Sequence, residues 1–343
     1  MSVSERVIHR PLSSIGDYSS GFPRRRRRKR LEPPNYRDFL DWRAGPNQDA
    51  SRLVSRRVRP VTICIAAICQ FPGDHLGGPY AVIAACDRMM TTEDIQFEPP
   101  QSKVFEFASN VVALVAGETD AQIEVCNHTF RELTESLPQS VEAIVDVYCR
   151  QLAAYNQRQA ERTILAPFGL TFKSFLDHQQ PIDPEISDHL FRKIDRERAK
   201  VATLIIGTDA YGPHIFKIYE DGRASCYDSI GFAAIGDGEW HADSQFMIAG
   251  HTANVPIGRA LLLTYVAKKR AEVAPGVGKI DTDLIYILPG GPWRNFSDAI
   301  KDKLKTTYKK MEGLQNRAVQ SASKDIDTFV KELTTPKEQP SPE

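Results

Sequence analysis

The feature that most constrains this chain is the run Val61-Thr62-Ile63-Cys64-Ile65-Ala66-Ala67-Ile68-Cys69. It is apolar apart from Thr62, rich in β-branched side chains, and too short for a typical helix. A strand with one wet face alternates apolar and polar residues. A run without alternation predicts a strand buried on both faces. Such a strand needs apolar layers above and below its sheet.

Residues 1–60 have the opposite character. Arg24, Arg25, Arg26, Arg27, Arg28, Lys29 and Arg30 form a basic run, followed by Glu32-Pro33-Pro34, and few apolar residues recur with any period. Such a segment buries too little surface to offset chain entropy, so disorder is expected. The run from Arg24 to Arg30 reads as a solvated tail, as a contact for nucleic acid or another acidic partner, or as a nuclear address. No apolar segment follows the arginines, which argues against a twin-arginine export signal. Nowhere do ~20 apolar residues follow one another as a membrane span requires. A cytoplasmic protein with no membrane partner is expected.

The 343 residues suit one large domain with tails, or two small domains. Lys+Arg and Asp+Glu both total 44, so the whole chain has no charge bias toward polyanions. None of the six cysteines, Cys64, Cys69, Cys86, Cys126, Cys149 and Cys226, forms a C-x-x-C pair. Reduced, buried thiols are expected, with neither a zinc site nor a cofactor.

After the run at 61–69, Gly77-Gly78-Pro79 supplies a turn. Strands are predicted over 80–86, 103–107 and 111–116, ending at Gly117. A helix begins near Thr119, where Ile123, Val125, Cys126, Phe130 and Leu133 keep helical spacing. A second helix over 140–159 has the stripe Val141, Ile144, Val145, Tyr148, Leu152 and Tyr155. Residues 160–199 read as an inserted loop and helix. Strands resume over 202–208, 214–219, 224–228 and 232–235, with Glu220-Asp221-Gly222-Arg223 as a hairpin turn. Helices over 239–249 and 256–273 and a strand over 282–288 complete the core. A Lys-rich tail with helical stretches follows from Phe296, ending in a disordered stub. The expected organisation is an arm (1–60), a domain (61–295) and a tail (296–343). An α+β, four-layer α-β-β-α sandwich would bury every apolar face.

Five strings carry a further signal. They are Ala84-Ala85-Cys86-Asp87-Arg88, Ser102-Lys103-Val104-Phe105-Glu106-Phe107, Ala116-Gly117-Glu118-Thr119-Asp120-Ala121-Gln122, Ile205-Ile206-Gly207-Thr208-Asp209 and Ile235-Gly236-Asp237-Gly238. In this order, and with Asp87 and Lys103 16 positions apart, residues 61–288 resemble a proteasome β-type subunit or its bacterial relatives. The resemblance implies the N-terminal-nucleophile hydrolase fold and an oligomeric ring. It also implies a threonine endopeptidase acting on peptides or unfolded proteins. By position it makes Thr62 the nucleophile, Lys103 the ammonium beside it, Asp87 the orienter of that lysine and Gly117 the oxyanion donor. An acid, Glu272, stands where the family has its later acid.

The chain also departs from the family. Pro60-Val61, not a glycine, precedes Thr62, and a register shift by one would put Val61 first. Asp237 and Pro275 stand where the family has serines. Two readings follow. One is a self-processed peptidase with 1–61 as prosegment. The other is a pseudoenzyme serving in assembly or regulation, with the arm binding a partner or nucleic acid.

Overall fold

The computed structural model describes residues 62–72, 80–92, 95–100, 102–136, 138, 140–177 and 182–334. The basic arm, the glycine turn at 73–79 and the stub after 334 lie outside the described residues.

The apolar run becomes β1 (Ile63–Gln70), buried along its length up to Gln70. It pairs antiparallel with β2 (Tyr80–Asp87), Ala66 facing Ala84, and on its other side with β10 (Phe232–Gly236). Strand β11 (Thr282–Ile287) pairs with β2, and a short β12 (Trp293–Asn295) closes that sheet, giving the order β10-β1-β2-β11-β12. A second five-stranded antiparallel sheet runs β5 (Val104–Ala108), β6 (Val111–Gly117), β7 (Val201–Asp209), β8 (Gly212–Ile218), β9 (Ala224–Cys226).

The period of two in a strand sorts the side chains of β1. Ile63, Ile65, Ala67 and Cys69 pack with Ala242 and Phe246 of α5 (Glu239–Ile248) and Ala260, Ala267 and Ala271 of α6 (Ile257–Ala271). Cys64, Ala66 and Ile68 face the other way, onto Val112, Leu114, Leu204 and Ile206 of the second sheet. The far side of that sheet, with Ala113, Val115 and Ile205, meets Val125 and Leu133 of α1 (Thr119–Ser136) and Ile144, Tyr148 and Leu152 of α2 (Val141–Ala160). The protein is thus α+β, with two antiparallel sheets and helices against each. Buried apolar faces on both sides of β1 explain its lack of alternation. At ~25 cal/mol per Å² of apolar surface, this burial is the main force holding the layers together.

Residues 160–199 carry more structure than a loop and helix. A π turn (Glu161–Leu165) and a 3₁₀ turn (Ala166–Phe168) lead to α3 (Phe172–Asp177) and α4 (Pro184–Arg196). Ile164, Leu165, Phe175 and Leu190 form their own small core. Asp183 caps α4, accepting from the Glu185 amide at 2.8 Å, with Pro184 in the first turn.

Three sequence expectations need correction. The stretch between β2 and β5 contains a two-stranded hairpin, β3 (Met90–Thr92) and β4 (Ile95–Phe97). The tail forms one helix of 37 residues, α7 (Asp298–Thr334), instead of separate stretches. Its N-terminal half contacts the body, through buried Leu304, the Tyr308 ring 6.1 Å from Tyr265, and Gln315, which accepts from Arg270 Nη2 at 2.5 Å. The third is Cys226, which is exposed because β9 is an edge strand, and Cys149 is only partly buried. Among the described residues no helix is long and apolar enough to cross a membrane.

Candidate functional site

Three buried polar residues meet where β1 begins and β2 ends. Thr62 is 1% exposed, Asp87 0% and Lys103 6%. Burying such groups is costly unless each donor and acceptor is matched. Here they match one another. The Thr62 hydroxyl donates to Asp87 Oδ1. Lys103 Nζ donates to Thr62 Oγ1, to the Met89 carbonyl, and to Asp87 Oδ1 at 3.2 Å. A lysine ammonium has three N–H donors and no acceptor. All three are used, so Lys103 offers positive charge to the Thr62 oxygen without a lone pair for proton abstraction. A lysine starting a strand is ordinarily solvated; this one is drawn inward by three acceptors.

The backbone fixes Thr62 independently. Gly236, paired with Ile63, has φ +97°, and a Cβ there would lie 2.2 Å from the Thr62 carbonyl oxygen. Only glycine permits both the conformation and the approach. The structure thus brings Thr62 onto Asp87 and Lys103.

Gly117 ends β6 with φ +120°, where a Cβ would lie 1.9 Å from the Lys200 carbonyl oxygen. Its close packing against β7 accounts for the glycine by itself. Among the described residues no hydrogen bond joins Gly117 to Thr62. The two strand ends are nonetheless neighbours, since Cys64 Sγ donates to the Val115 carbonyl at 3.6 Å. Helix α1 starts two residues beyond Gly117, and the intervening Glu118 amide donates to the Lys200 carbonyl at 3.1 Å.

Glu272 does not join the three. It caps the C-terminal end of α6 and bonds Lys268 Nζ at 2.5 Å and Lys269 Nζ at 2.7 Å. Its link to Asp87 is indirect. Lys268 Nζ donates to the Gly278 carbonyl at 2.9 Å, and the Gly278 amide donates to Asp87 Oδ2 at 2.6 Å. Both Asp87 oxygens are therefore occupied. Lys268 is wholly buried, and burial lowers its pKa against the opposing pull of Glu272 and Asp87.

Two further groups brace the same loop. Glu98 accepts the amides of Lys279 (2.7 Å), Ile280 (3.2 Å) and Asp281 (2.9 Å). Burial alone would raise its pKa; the three amide bonds more than offset this and lower it. Arg88 binds both Asp283 oxygens, at 2.6 and 3.1 Å, tying β2 to β11. Its pKa is raised, chiefly by that bond. Arg88 thus has Asp283 and Lys268 has Glu272, leaving Lys103 to Asp87 and Thr62.

Lys268, Gly278, Glu98 and Asp283 escape a motif reading. The one local signal is Lys268, which keeps three- and four-residue steps with Leu261, Thr264 and Ala271 on the buried face of α6. Compared with known proteins, the chain matches no family model and no curated protein.

Proposed function

We propose that the chain is an N-terminal-nucleophile hydrolase with the four-layer α-β-β-α sandwich of proteasome β-type subunits, acting as a threonine peptidase. The observation that carries this reading is the Thr62 hydroxyl, bonded at once to a carboxylate and to an ammonium with all its donors engaged. Other buried threonines make one uncharged contact each, Thr129 and Thr264 with the carbonyls of Val125 and Ala260 and Thr203 with the Tyr148 hydroxyl.

The chemistry starts with the uncut chain. Thr62 Oγ attacks the Val61 carbonyl carbon, its proton passing to Asp87 Oδ1. Lys103 stabilises the developing alkoxide charge. The C–N bond breaks, the Thr62 nitrogen takes up a proton, and water hydrolyses the ester. The freed α-amine, with an ordinary pKa near ~8, then serves as proton acceptor when Thr62 attacks a substrate peptide. In this reading the Gly117 amide is the donor to the carbonyl oxygen as it becomes negative. Substrates are peptides or unfolded segments, and the active form is an oligomeric ring.

A second reading rests on Asp237, Pro275 and Val61, which replace two serines and a glycine of the family. It makes the chain a non-catalytic relative whose basic run, Arg24 to Arg30, binds an acidic partner or nucleic acid. Labelling with a peptide epoxyketone, which needs both the hydroxyl and the free amine of an N-terminal threonine, separates the two. The peptidase reading expects one adduct per chain, absent in Thr62→Ala and in Lys103→Ala. A full-length chain that never reacts selects the second reading.

A further inference from the structure

Lys268 is the only fully buried ammonium among the described residues that the three-residue site does not use. Replacing it by an apolar residue would remove the cost of burying a charge, so its presence asks for a reason. Three observations point the same way. Its Nζ has two acceptors, the Glu272 carboxylate and the Gly278 carbonyl. The carbonyl it binds is that of Gly278, the residue whose own amide is bonded to Asp87 Oδ2. That residue must also stay small, because a Cβ on Gly278 would lie 2.8 Å from Glu98 Oε1 and 3.1 Å from the Asp87 Cβ.

We infer that Lys268 is a positioning residue for Asp87, acting through the backbone of Gly278. The loop after α6 has no helix or strand to fix Gly278; the residue before it, Val277, is held by its buried side chain. Lys279, Ile280 and Asp281 are held by Glu98 from one side. The Gly278 carbonyl, on the opposite edge of the peptide group that carries the Lys279 amide, is held by the Lys268 ammonium from the other. With Gly278 fixed, its amide sets the rotation of the Asp87 carboxylate, and Oδ1 is left aimed at Thr62 and Lys103. Glu272 is then the anchor that places Lys268, which accounts for an acid at that position without assigning it any contact with the reacting atoms. A carboxylate turned out of line costs a catalytic site on the order of 10²-fold for ~1 Å of displacement.

This inference rests on the peptidase reading for its effect on rate, but the mechanical link can be measured without activity. The test uses the full chain and its Lys268→Met variant, which keeps the length of the stem and removes the ammonium. The Glu272→Gln variant keeps the ammonium but weakens its anchor. Amide hydrogen exchange at Gly278 is read by mass spectrometry or NMR, with Asp87→Ala as the reference for a Gly278 amide without its acceptor. Folding of each variant is checked by its melting curve. The expected result is Gly278 exchange faster by ~10-fold or more in Lys268→Met, with a smaller rise in Glu272→Gln. Epoxyketone labelling slows in the same order. Unchanged Gly278 exchange in a folded Lys268→Met protein overturns the inference, whatever the labelling shows. Faster exchange in Lys268→Met, with no labelling even of the wild type, upholds the link and refutes the peptidase reading. If Lys268→Met does not fold, Glu272→Gln decides alone: unchanged Gly278 exchange in that variant overturns the inference.

Discussion

His214 lies between two carboxylates, with Nδ1 2.6 Å from Asp228 Oδ2 and Nε2 3.0 Å from Asp209 Oδ1. Both ring nitrogens can donate only in the imidazolium, so the folded state favours the charged form. The pKa of His214 is accordingly raised, first by the Asp228 bond, against burial and with the help of Asp209. Asp209 also accepts the amides of Val141 (3.0 Å) and Tyr211 (2.8 Å), so the cluster joins β7 and β8 to the start of α2. His214→Phe keeps a ring beside Phe216 and removes both donors. A hydrogen bond to a charged group contributes roughly 1.5–3 kcal/mol. Two such bonds, reduced because the groups are partly solvated, give a loss of about 3 kcal/mol. At ~2–4 °C per kcal/mol for a domain of this size, the melting temperature falls by ~6–12 °C. The pH dependence follows from the direction of the shifts. Stability from a raised histidine is complete below its unfolded value of 6.5 and is lost as pH rises through the raised folded value. Asp209 and Asp228 have lowered values, because their hydrogen bonds outweigh the opposing effect of burial. Their share is present above the unfolded 3.8 and is lost as pH falls through the lowered values. Urea unfolding of wild type and His214→Phe at about pH 5.5 and about pH 9 therefore shows a gap that shrinks at the higher pH. A gap that is constant, or larger at the higher pH, refutes the charged-histidine account.

Two other perturbations test the frame around Thr62. Gly236→Ala forces a side chain into positive φ and against the Thr62 carbonyl; it lowers stability by at least ~1–2 kcal/mol, read by urea unfolding, and abolishes labelling of Thr62 even where the protein stays folded. Glu98→Ala frees three amides and costs about 1–3 kcal/mol. Because the Glu98 pKa is lowered, its contribution is present above the unfolded 4.5 and lost as pH falls through the folded value, so the variant and wild type converge in strong acid.

The layers were legible in the sequence because burial leaves a periodic trace. Residues 61–69 lack alternation because both faces of β1 are covered, and the stripe at 141–155 marks a helix with one buried side; of the stripe at 123–133, Val125, Cys126 and Leu133 are buried as expected, whereas Ile123 and Phe130 are exposed and the buried face runs instead through Ala121, Gln122 and Thr129. Asp87 and Lys103 could be singled out because each follows or opens an apolar strand within a recognisable string. The bonds that organise the site left no such trace. Glu98 reaches amides 181 to 183 residues away, and Gly278 reaches Asp87 across 191. No local period encodes contacts of that length. Glu272 was selected by position among the site residues, yet the turn at the end of α6 sends its carboxylate to Lys268 and Lys269. The hairpin β3–β4 escaped because three-residue strands carry too few alternations to read. The length of α7 escaped because Gly313, at its middle, looks like an end; a single glycine costs a helix only ~1 kcal/mol.

The central claim is that Thr62, with Asp87 and Lys103, cuts the chain before itself and then acts as an N-terminal nucleophile. The most direct measurement is the intact mass and N-terminal sequence of the purified protein, before and after treatment with a peptide epoxyketone. The account predicts a chain beginning at Thr62 that gains one inhibitor mass, while Thr62→Ala keeps its full length and gains none. A folded wild-type protein that retains residues 1–61 and takes up no inhibitor contradicts it.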